Sequence, residues 1–229
     1  MQNAEGLKRL AGERAAKFVR DGMIVGLGTG STVYYTVMKL GQMVRAGEIS
    51  IIGIPTSKAT EKLAVTQGIK LGTLDEYPVI DLTIDGADEV DPNLDLIKGM
   101  GGALLREKVV ASVSKEVIII VDSSKLVDVL GTKSSLPVEV LPFALTAARN
   151  RLESLCTEAK LRERDGYTFV SDNGNYIIDC KFESIPEPGK LEIELNRIPG
   201  VVENGLFIGM ATRVILGTGN GVKTIEKST

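Results

Sequence analysis

Residues 98–110 read Lys-Gly-Met-Gly-Gly-Ala-Leu-Leu-Arg-Glu-Lys-Val-Val. Arg106, Glu107 and Lys108 stand together in a run that is otherwise apolar. With Ala103 as the first helical residue, positions three and four apart are neighbours. Glu107 then lies beside Ala103, Leu104, Val110 and Ala111, and Lys108 beside Leu104, Leu105, Ala111 and Ser112. Burial raises a carboxylate's pKa and makes it a better base. A long Arg or Lys can snorkel to water, whereas a shorter Glu does so less easily. Arg106 also has apolar neighbours, so the helical wheel alone does not single out Glu107, and a structural ion pair is the competing reading. Lys98, just before the glycines, adds a cation at the start of the loop.

The chain has no histidine. That removes Ser-His-Asp triads, imidazole acid-base chemistry and His-ligated metal sites. Proton transfer near neutral pH therefore falls to Asp, Glu, Lys, Tyr or Cys. Carboxylates are concentrated in Ile-Asp-Gly-Ala-Asp-Glu-Val-Asp, which holds Asp85, Asp88, Glu89 and Asp91. Asp85 directly follows an apolar run, and Asp88 reaches the same space across Gly86 and Ala87. Two readings stand here: a solvated acidic loop, or carboxylates that hydrogen-bond substrate hydroxyls. Glu89 and Asp91 are expected at the solvent surface. The spacing of an EF-hand is missing, so calcium is discounted.

A third feature is Gly-Leu-Gly-Thr-Gly-Ser-Thr, residues 26–32. A glycine turn that opens a helix exposes backbone N–H groups at the positive end of the helix dipole, which suits a phosphate. It is not the dinucleotide pattern, because Ser31 stands at the third glycine's position. Nor is it a P-loop, since no Lys precedes Ser31. Thr29, Gly30, Ser31 and Thr32 are the binding candidates. A plain strand-to-helix turn capped by Thr or Ser is the alternative. The next apolar run ends in Pro55, Thr56, Ser57 and Lys58, hydroxyls and an ammonium that suit a phosphate or a sugar, with no acidic residue for an adenosine ribose.

These segments need a frame that brings them to one edge. Residues 4–21 have helical periodicity, and 23–28 read as a buried strand. The alternation continues with a helix from Ser31, a strand at 49–55, a helix at 58–68, a strand at 79–85, a helix at 103–114 and a strand at 116–122. Continuous β-branched runs alternating with helices predict a parallel sheet covered on both faces. In such sheets ligands bind beyond the carboxyl ends of the strands. The glycine turn at 26–32, the segment at 56–60 and the acidic segment at 85–91 each follow a strand, and so does Lys125, in Asp-Ser-Ser-Lys after the fourth. From about residue 132 the pattern changes. A strand at 136–141, a helix at 144–155, strands at 159–164 and 175–182 joined by a turn containing Asp-Asn-Gly-Asn, a helix at 190–198 and a strand at 201–207 give β-α-β-β-α-β. That is the order of a ferredoxin-like module. The tail from Ala211 supplies one or two strands that rejoin the first sheet. The expected domains are 1–131 plus 206–229, and 132–205.

Bulk properties bound the function. The 229 residues are 43% hydrophobic and 25% charged, with net charge -3 and no Trp. No basic field draws nucleic acid or an anionic membrane, and base-stacking platforms are sparse. No run approaches the ~18 apolar residues of a membrane span, and the N-terminus lacks an apolar signal core. Cys156 and Cys180 form no CxxC pair, so reduced thiols in a cytoplasmic, soluble protein are expected.

Together these segments resemble ribose-5-phosphate isomerase of type A. The matching pieces are GLGTGST, TSKAT, IDGADEVD, KGMGGALLREK, VDSSK, LPVEVLPFA, DNGNYIIDC and IPGVVENGLF, in family order over nearly the whole chain. The resemblance implies a Rossmann-like parallel-sheet domain with a smaller ferredoxin-like α+β domain, an α/β fold overall. It implies interconversion of ribose 5-phosphate and ribulose 5-phosphate without metal or organic cofactor, by a homodimer or homotetramer. The family's proton-accepting glutamate falls on Glu107. Its substrate loops fall on Thr29–Thr32, on Asp85, Gly86, Ala87 and Asp88, on Lys98, Gly99, Met100 and Gly101, and on Lys125. Asp85, Asp88 and Lys98 join Glu107 as catalytic candidates. One departure stands out: bacterial relatives often have Gly where this chain has Met100. A loop that offers backbone N–H groups tolerates Met100, and one needing close approach at that position does not. Rival readings fit less well. A sugar-phosphate deaminase typically uses a His in ring opening, and a sugar-phosphate sensor carries a DNA-binding module. A CoA transferase with a glutamate nucleophile is separated by assay on ribose 5-phosphate alone.

Overall fold

The computed structural model describes residues 4–226. In chain order they form α1 (Ala4–Ala16), β1 (Ile24–Leu27), α2 (Ser31–Arg45), β2 (Ile52–Pro55), α3 (Lys58–Thr66), β3 (Lys70–Leu71) and β4 (Ile80–Gly86). Next come β5 (Glu89–Val90), β6 (Leu96–Ile97), α4 (Leu104–Ser112) and β7 (Ser114–Asp122). The third stretch holds β8 (Leu136–Val140), α5 (Leu145–Leu152), β9 (Glu158–Leu161), β10 (Glu163–Arg164), β11 (Tyr167–Thr168), β12 (Tyr176–Lys181) and α6 (Pro188–Asn196). It closes with β13 (Val201–Asn204), β14 (Leu206–Phe207), β15 (Arg213–Thr218) and β16 (Gly221–Glu226). The chain divides into two units. One contains the chain up to Ala87, Arg106–Leu126 and the chain from Met210; the other contains Asp88–Leu105 and Val127–Gly209.

The first unit is built on a seven-stranded sheet, ordered β16-β15-β7-β4-β1-β2-β3. All pairings are parallel except β15 with β16. Taken in chain order, the parallel strands run third-second-first-fourth-fifth-sixth, the doubly wound order of dinucleotide-binding folds. The order reverses between β1 and β4, where Val25 faces Leu82 and Leu27 faces Ile84. The alternating apolar runs produce this sheet because both faces are covered. Val25, Leu27, Leu82, Ile84, Ile118, Ile120 and Ile215 form one core with Ala11, Ala15 and Ala16 of α1 and Val33, Val37 and Leu40 of α2. Close α1–α2 packing requires Gly12, whose added Cβ would lie 2.9 Å from the Tyr35 Cβ and 3.0 Å from the Thr32 carbonyl oxygen. The first helix is shorter than the periodicity predicts. After Ala16 the N–H groups of Lys17, Phe18 and Val19 bond three residues back. Gly22, at φ 79°, then turns the chain into β1.

The second unit carries a four-stranded antiparallel sheet ordered β13-β8-β12-β9. With α5 and α6 this is the β-α-β-β-α-β module expected from the sequence. Leu136, Val138, Val140, Ala148, Leu152, Ile178, Cys180 and Leu195 fill its core. Two local differences have clear causes. The chain between β9 and β12 contains an extra hairpin, β10–β11, turned by Asp165 (φ 54°) and Gly166 (φ 80°). Asp-Gly is the sequence that favours a turn with positive φ at both positions. Residues 201–207 do not form one strand. At Gly205 the chain leaves β13 and enters a small sheet ordered β14-β6-β5. A Cβ at Gly205 would lie 2.3 Å from the Lys98 carbonyl oxygen.

The expected domain limits, 1–131 plus 206–229 and 132–205, differ from this division by the segment Asp88–Leu105 and by 127–131 and 206–209. The cause is Glu89 and the small sheet. Glu89 is fully buried, and its carboxylate accepts the backbone N–H groups of Gly131 (2.6 Å), Lys133 (2.7 Å) and Ser134. The expectation of solvent-exposed Glu89 and Asp91 is therefore corrected. Asp91 is buried too, accepts from the N–H groups of Asn93 and Asp95, and has its carboxyl pushed up by burial. The Asp-Asn-Gly-Asn turn is anchored on buried Glu139, whose Oε1 accepts from Ser171, Asn173 and Asn175 at 2.8–3.1 Å. Cys156 and Cys180 are free thiols. The hydrogen bond with Cys156, together with burial, raises the Cys180 thiol. Among the described residues, no helix is long and apolar enough to cross a membrane.

Candidate active site

In the first unit, residues 29–32, 85–87 and Lys125 lie at the carboxyl ends of β1, β4 and β7, and Glu107 stands on α4. The Gly28 N–H donates to the Ile84 carbonyl at 3.0 Å, bringing the turn after β1 against β4. Asp85 is 2% exposed at the end of β4. Its Oδ1 accepts from the Thr29 N–H (3.1 Å) and the Gly86 N–H (2.7 Å). A Cβ at Gly28 would stand 2.2 Å from that same oxygen, so only glycine fits beneath the carboxylate. The turn and Asp85 thus form one unit of structure at the point where the strand order reverses.

The start of α2 differs from a capped helix. Its N-cap is Gly30, at φ 121° and ψ 174°, with no side-chain cap hydrogen bond. The alternative of a Thr- or Ser-capped turn is set aside by this geometry. Gly30 and Ser31 are exposed and Thr32 half-buried, and the helix's first-turn amides have no partner inside the helix. Lys8 of α1 donates from Nζ to Ser31 Oγ at 2.9 Å. A helix N-terminus with an adjacent ammonium favours an anion. The sequence reading missed Lys8. Its signal was Gly12, four residues on and on the same helical face, which marks where α1 meets α2.

The hydroxyls after β2 behave otherwise than expected. Thr56, Ser57 and Thr60 are buried. Thr29 Oγ1 lies 2.8 Å from Thr56 Oγ1 and 2.9 Å from Ser57 Oγ, and Thr60 Oγ1 donates to the Gly28 carbonyl at 2.8 Å. Ser57 also caps α3 through the Thr60 N–H. This segment holds the Gly28–Thr29 turn in shape, and the suggestion that its hydroxyls face a phosphate or sugar is replaced by that role.

Glu107 stands on α4 and is 4% exposed. Lys108 is 6% exposed, so the idea that it snorkels to water is corrected. Val110, one helical turn on, packs with Ile54 and Ile80. Lys125 ends a 3-10 turn after β7, half-buried, in a loop fixed by Asp122 Oδ1 accepting the Ser124 N–H at 2.9 Å.

In the second unit, Asp88 and the Lys98–Gly101 loop come together. Asp88 Oδ2 accepts the Met100 N–H at 3.0 Å. Lys98 is 3% exposed, with Nζ 5.3 Å from the centre of the Phe207 ring. Gly99 (φ 107°) and Gly102 (φ 86°) take left-handed conformations, and the Gly102 N–H closes a turn on the Gly99 carbonyl at 3.0 Å. Met100 has no such requirement, and its side chain is exposed. The departure from Gly at position 100 is thereby accommodated. Arg162, which the sequence reading missed, donates to the carbonyls of Gly99 and Met100. Its proximity depends on the pairing of β9 with β12, which has no local sequence signal.

These features define an α/β protein with an anion-suited turn and a buried carboxylate at the reversal point of a parallel sheet. Residues 52–221 match the family model of ribose 5-phosphate isomerase A (phosphoriboisomerase A). Ribose-5-phosphate isomerase A of Bacillus mycoides is 56% identical over 218 residues, covering 95% of this chain and 98% of that protein. The structure of a D-ribose-5-phosphate isomerase in complex with phospho-erythronic acid is 47% identical, with a TM-score of 0.95 over 98% of this chain and all of that one. Ribose 5-phosphate isomerase A from Methanocaldococcus jannaschii is 44% identical, with a TM-score of 0.93 over 98% of this chain and 100% of that one. The chain belongs to the ribose 5-phosphate isomerase A family.

Proposed function

We propose that this chain interconverts D-ribose 5-phosphate and D-ribulose 5-phosphate through an enediolate, with Glu107 as the proton carrier. The observation that carries the proton role is the burial of Glu107 in a chain without histidine. In the forward direction Glu107 takes the C2 proton of the open-chain aldose, and the electron pair moves into the C1–C2 bond and onto the C1 oxygen. The C2 hydroxyl proton passes to the C1 oxygen, and return of the carbon-bound proton from Glu107 to C1 as C2 becomes the carbonyl completes the ketose. Lys98 and backbone N–H groups of its loop other than that of Met100, which Asp88 holds, offset the charge on the enediolate oxygens, the kind of stabilisation that is usually the largest single contribution to catalysis. Asp85 and Asp88 orient hydroxyls and assist opening of the furanose ring. The phosphate sits at the start of α2, among Gly30, Ser31 and Thr32 with Lys8, and Lys125 is a further polar contact. Held away from the reacting carbons, the phosphate supplies binding energy for positioning. The phospho-erythronic acid bound by a relative supports this reading. It joins a phosphate to a planar anionic carboxylate, as the intermediate joins a phosphate to an enediolate. The protein works in the cytoplasm as a homodimer or homotetramer, needing neither a cofactor nor nucleic acid.

The test is conversion of ribose 5-phosphate to ribulose 5-phosphate with EDTA present, which examines the reaction and metal independence together. Glu107→Gln is expected to keep ligand binding and lose at least about a thousandfold in kcat. Near-normal turnover in that variant would end the assignment.

A further inference from the structure

The Lys98–Gly102 loop is gripped by one side chain of its own unit. Arg162 is 8% exposed. Its Nε donates to Asp179 Oδ2 at 2.8 Å, and its Nη2 pairs with Asp179 Oδ1. Its Nη1 donates to the carbonyl oxygens of Gly99 at 2.8 Å and Met100 at 3.2 Å. The planar guanidinium fork thus spans a carboxylate on one edge and two successive carbonyls on the other, which no other side chain can do. Phe169 completes the platform. Its ring lies 5.8 Å from the guanidinium carbon, and a Cβ on Gly102 would meet its Cζ at 2.3 Å.

The consequence follows from peptide geometry. Peptide bonds are planar, and none among the described residues is cis. Fixing a carbonyl oxygen on one side of a trans peptide sends the next N–H to the other side. With the Gly99 carbonyl on Arg162, the Met100 N–H points oppositely, and it is found on Asp88 Oδ2 at 3.0 Å. With the Met100 carbonyl on Arg162, the Gly101 N–H is turned away from the guanidinium in the same manner. A loop free to flip these peptides would present carbonyl oxygens, which repel an anion.

We infer that Arg162, oriented by Asp179, is a positioning residue for the isomerisation: it locks the Gly99 and Met100 carbonyls so that Asp88 holds the Met100 N–H and the loop offers the Gly101 amide hydrogen to the enediolate. The inference rests on the proposed role of the Lys98–Gly101 loop. A purely structural pair would affect stability but leave turnover per folded molecule intact.

The experiment is steady-state kinetics with ribose 5-phosphate on Arg162→Lys, Arg162→Ala, Asp179→Asn, Arg164→Gln and Lys98→Met, each with a thermal melt. Lysine keeps the charge, but three donors on one nitrogen cannot span the four acceptor oxygens that the guanidinium reaches. Folded Arg162→Lys is expected to lose at least about tenfold in kcat with KM changed less than about threefold, because the loop's contacts tighten in the transition state. Millimolar guanidinium restores part of the kcat of Arg162→Ala. Asp179→Asn, which preserves shape, loses about three- to tenfold in kcat and serves as the test should the Arg162 variants not fold. Arg164, exposed and over the Phe169 ring at 4.5 Å, is the control, and Arg164→Gln keeps parental turnover. Folded Arg162→Lys or Asp179→Asn with kcat within about twofold of the parent overturns the inference. If Lys98→Met also turns over normally, the loop's catalytic role itself has failed. If only Lys98→Met loses turnover, the role stands and the positioning by Arg162 has failed.

Discussion

Asp85 anchors the turn after β1, and its proposed duty toward a substrate hydroxyl is separated from that role by a pair of substitutions. Its Oδ1 receives the Thr29 and Gly86 N–H groups, and it is almost fully buried. Asparagine keeps the shape and one acceptor oxygen, so Asp85→Asn is expected to fold and to lose the charge that orients a hydroxyl. Alanine leaves buried N–H groups without an acceptor, which costs about 1–3 kcal/mol. We expect Asp85→Asn to melt near the parent with kcat reduced at least about tenfold, and Asp85→Ala to melt several degrees lower as well. Equal melting of the two variants would remove the anchoring role. At this scale the sequence was informative where one residue type is forced by chemistry. The absence of histidine and the apolar neighbours of Glu107 were legible in one dimension. Lys8 and Arg162 were not, because each reaches its partner through packing or pairing between segments far apart in the chain: α1 against α2 for Lys8, β9 beside β12 for Arg162.

Two glycines of the turn after β1 test how the elements are joined. Gly28 has ordinary backbone but no room, whereas Gly30 has room but a φ of 121° that other residues avoid. Gly30→Ala therefore meets only backbone strain, about 1–3 kcal/mol. Gly28→Ala drives a methyl into Asp85 and is expected to cost more and to displace the carboxylate. Denaturant melts rank the two, and a smaller loss for Gly28→Ala would contradict the packing described. Asp81 ties the other end of the same strands. Its Oδ2 accepts the Ile24 N–H at 2.9 Å and its Oδ1 pairs with Lys115 at 2.7 Å. The Lys115 hydrogen bond, followed by the Ile24 N–H, lowers the Asp81 pKa below 3.8. A depressed carboxylate stabilises the fold above its unfolded pKa, and the gain fades as pH falls through the folded value. Asp81→Ala should thus cost about 1–2 kcal/mol at pH 7 and progressively less below pH 3.8. A pH-independent difference would rule out the charge as its source. The helices and parallel strands tied by such contacts were legible because periodicity and glycine punctuation act locally. The short strands β5, β6 and β14 were not, since two residues show no period and their sheet exists only through long-range pairing.

At the scale of the molecule, the chain leaves and re-enters the first unit twice, and its last visit supplies β15 and β16. These two strands contribute unequally. β15 lies between β7 and β16, and Val214, Ile215 and Leu216 are buried. A Cβ at its Gly217 would stand 2.3 Å from the Leu7 carbonyl, so α1 packs directly on this strand. β16 is an edge strand, largely exposed, paired on one side only. Ending the chain at Asn220 removes β16 and leaves β15 as the new edge, with the apolar core intact. Ending it at Gly209 also removes β15, which strips the pairing from Ile118–Asp122 and uncovers the apolar face that α1 shares with Ile215. The unpaired parallel edge then presents unsatisfied backbone groups beside apolar side chains, a template for aggregation. The shorter truncation is expected to give a soluble protein with a cooperative melt at reduced temperature. The longer one is expected to be insoluble or to lack a cooperative transition, and circular dichroism with sedimentation distinguishes them. A cooperative, soluble chain ending at Gly209 would mean that the sheet is complete at β7, and that the doubly wound order, with its sixth parallel strand, is not what holds the carboxyl edge of β4 and β7 in place.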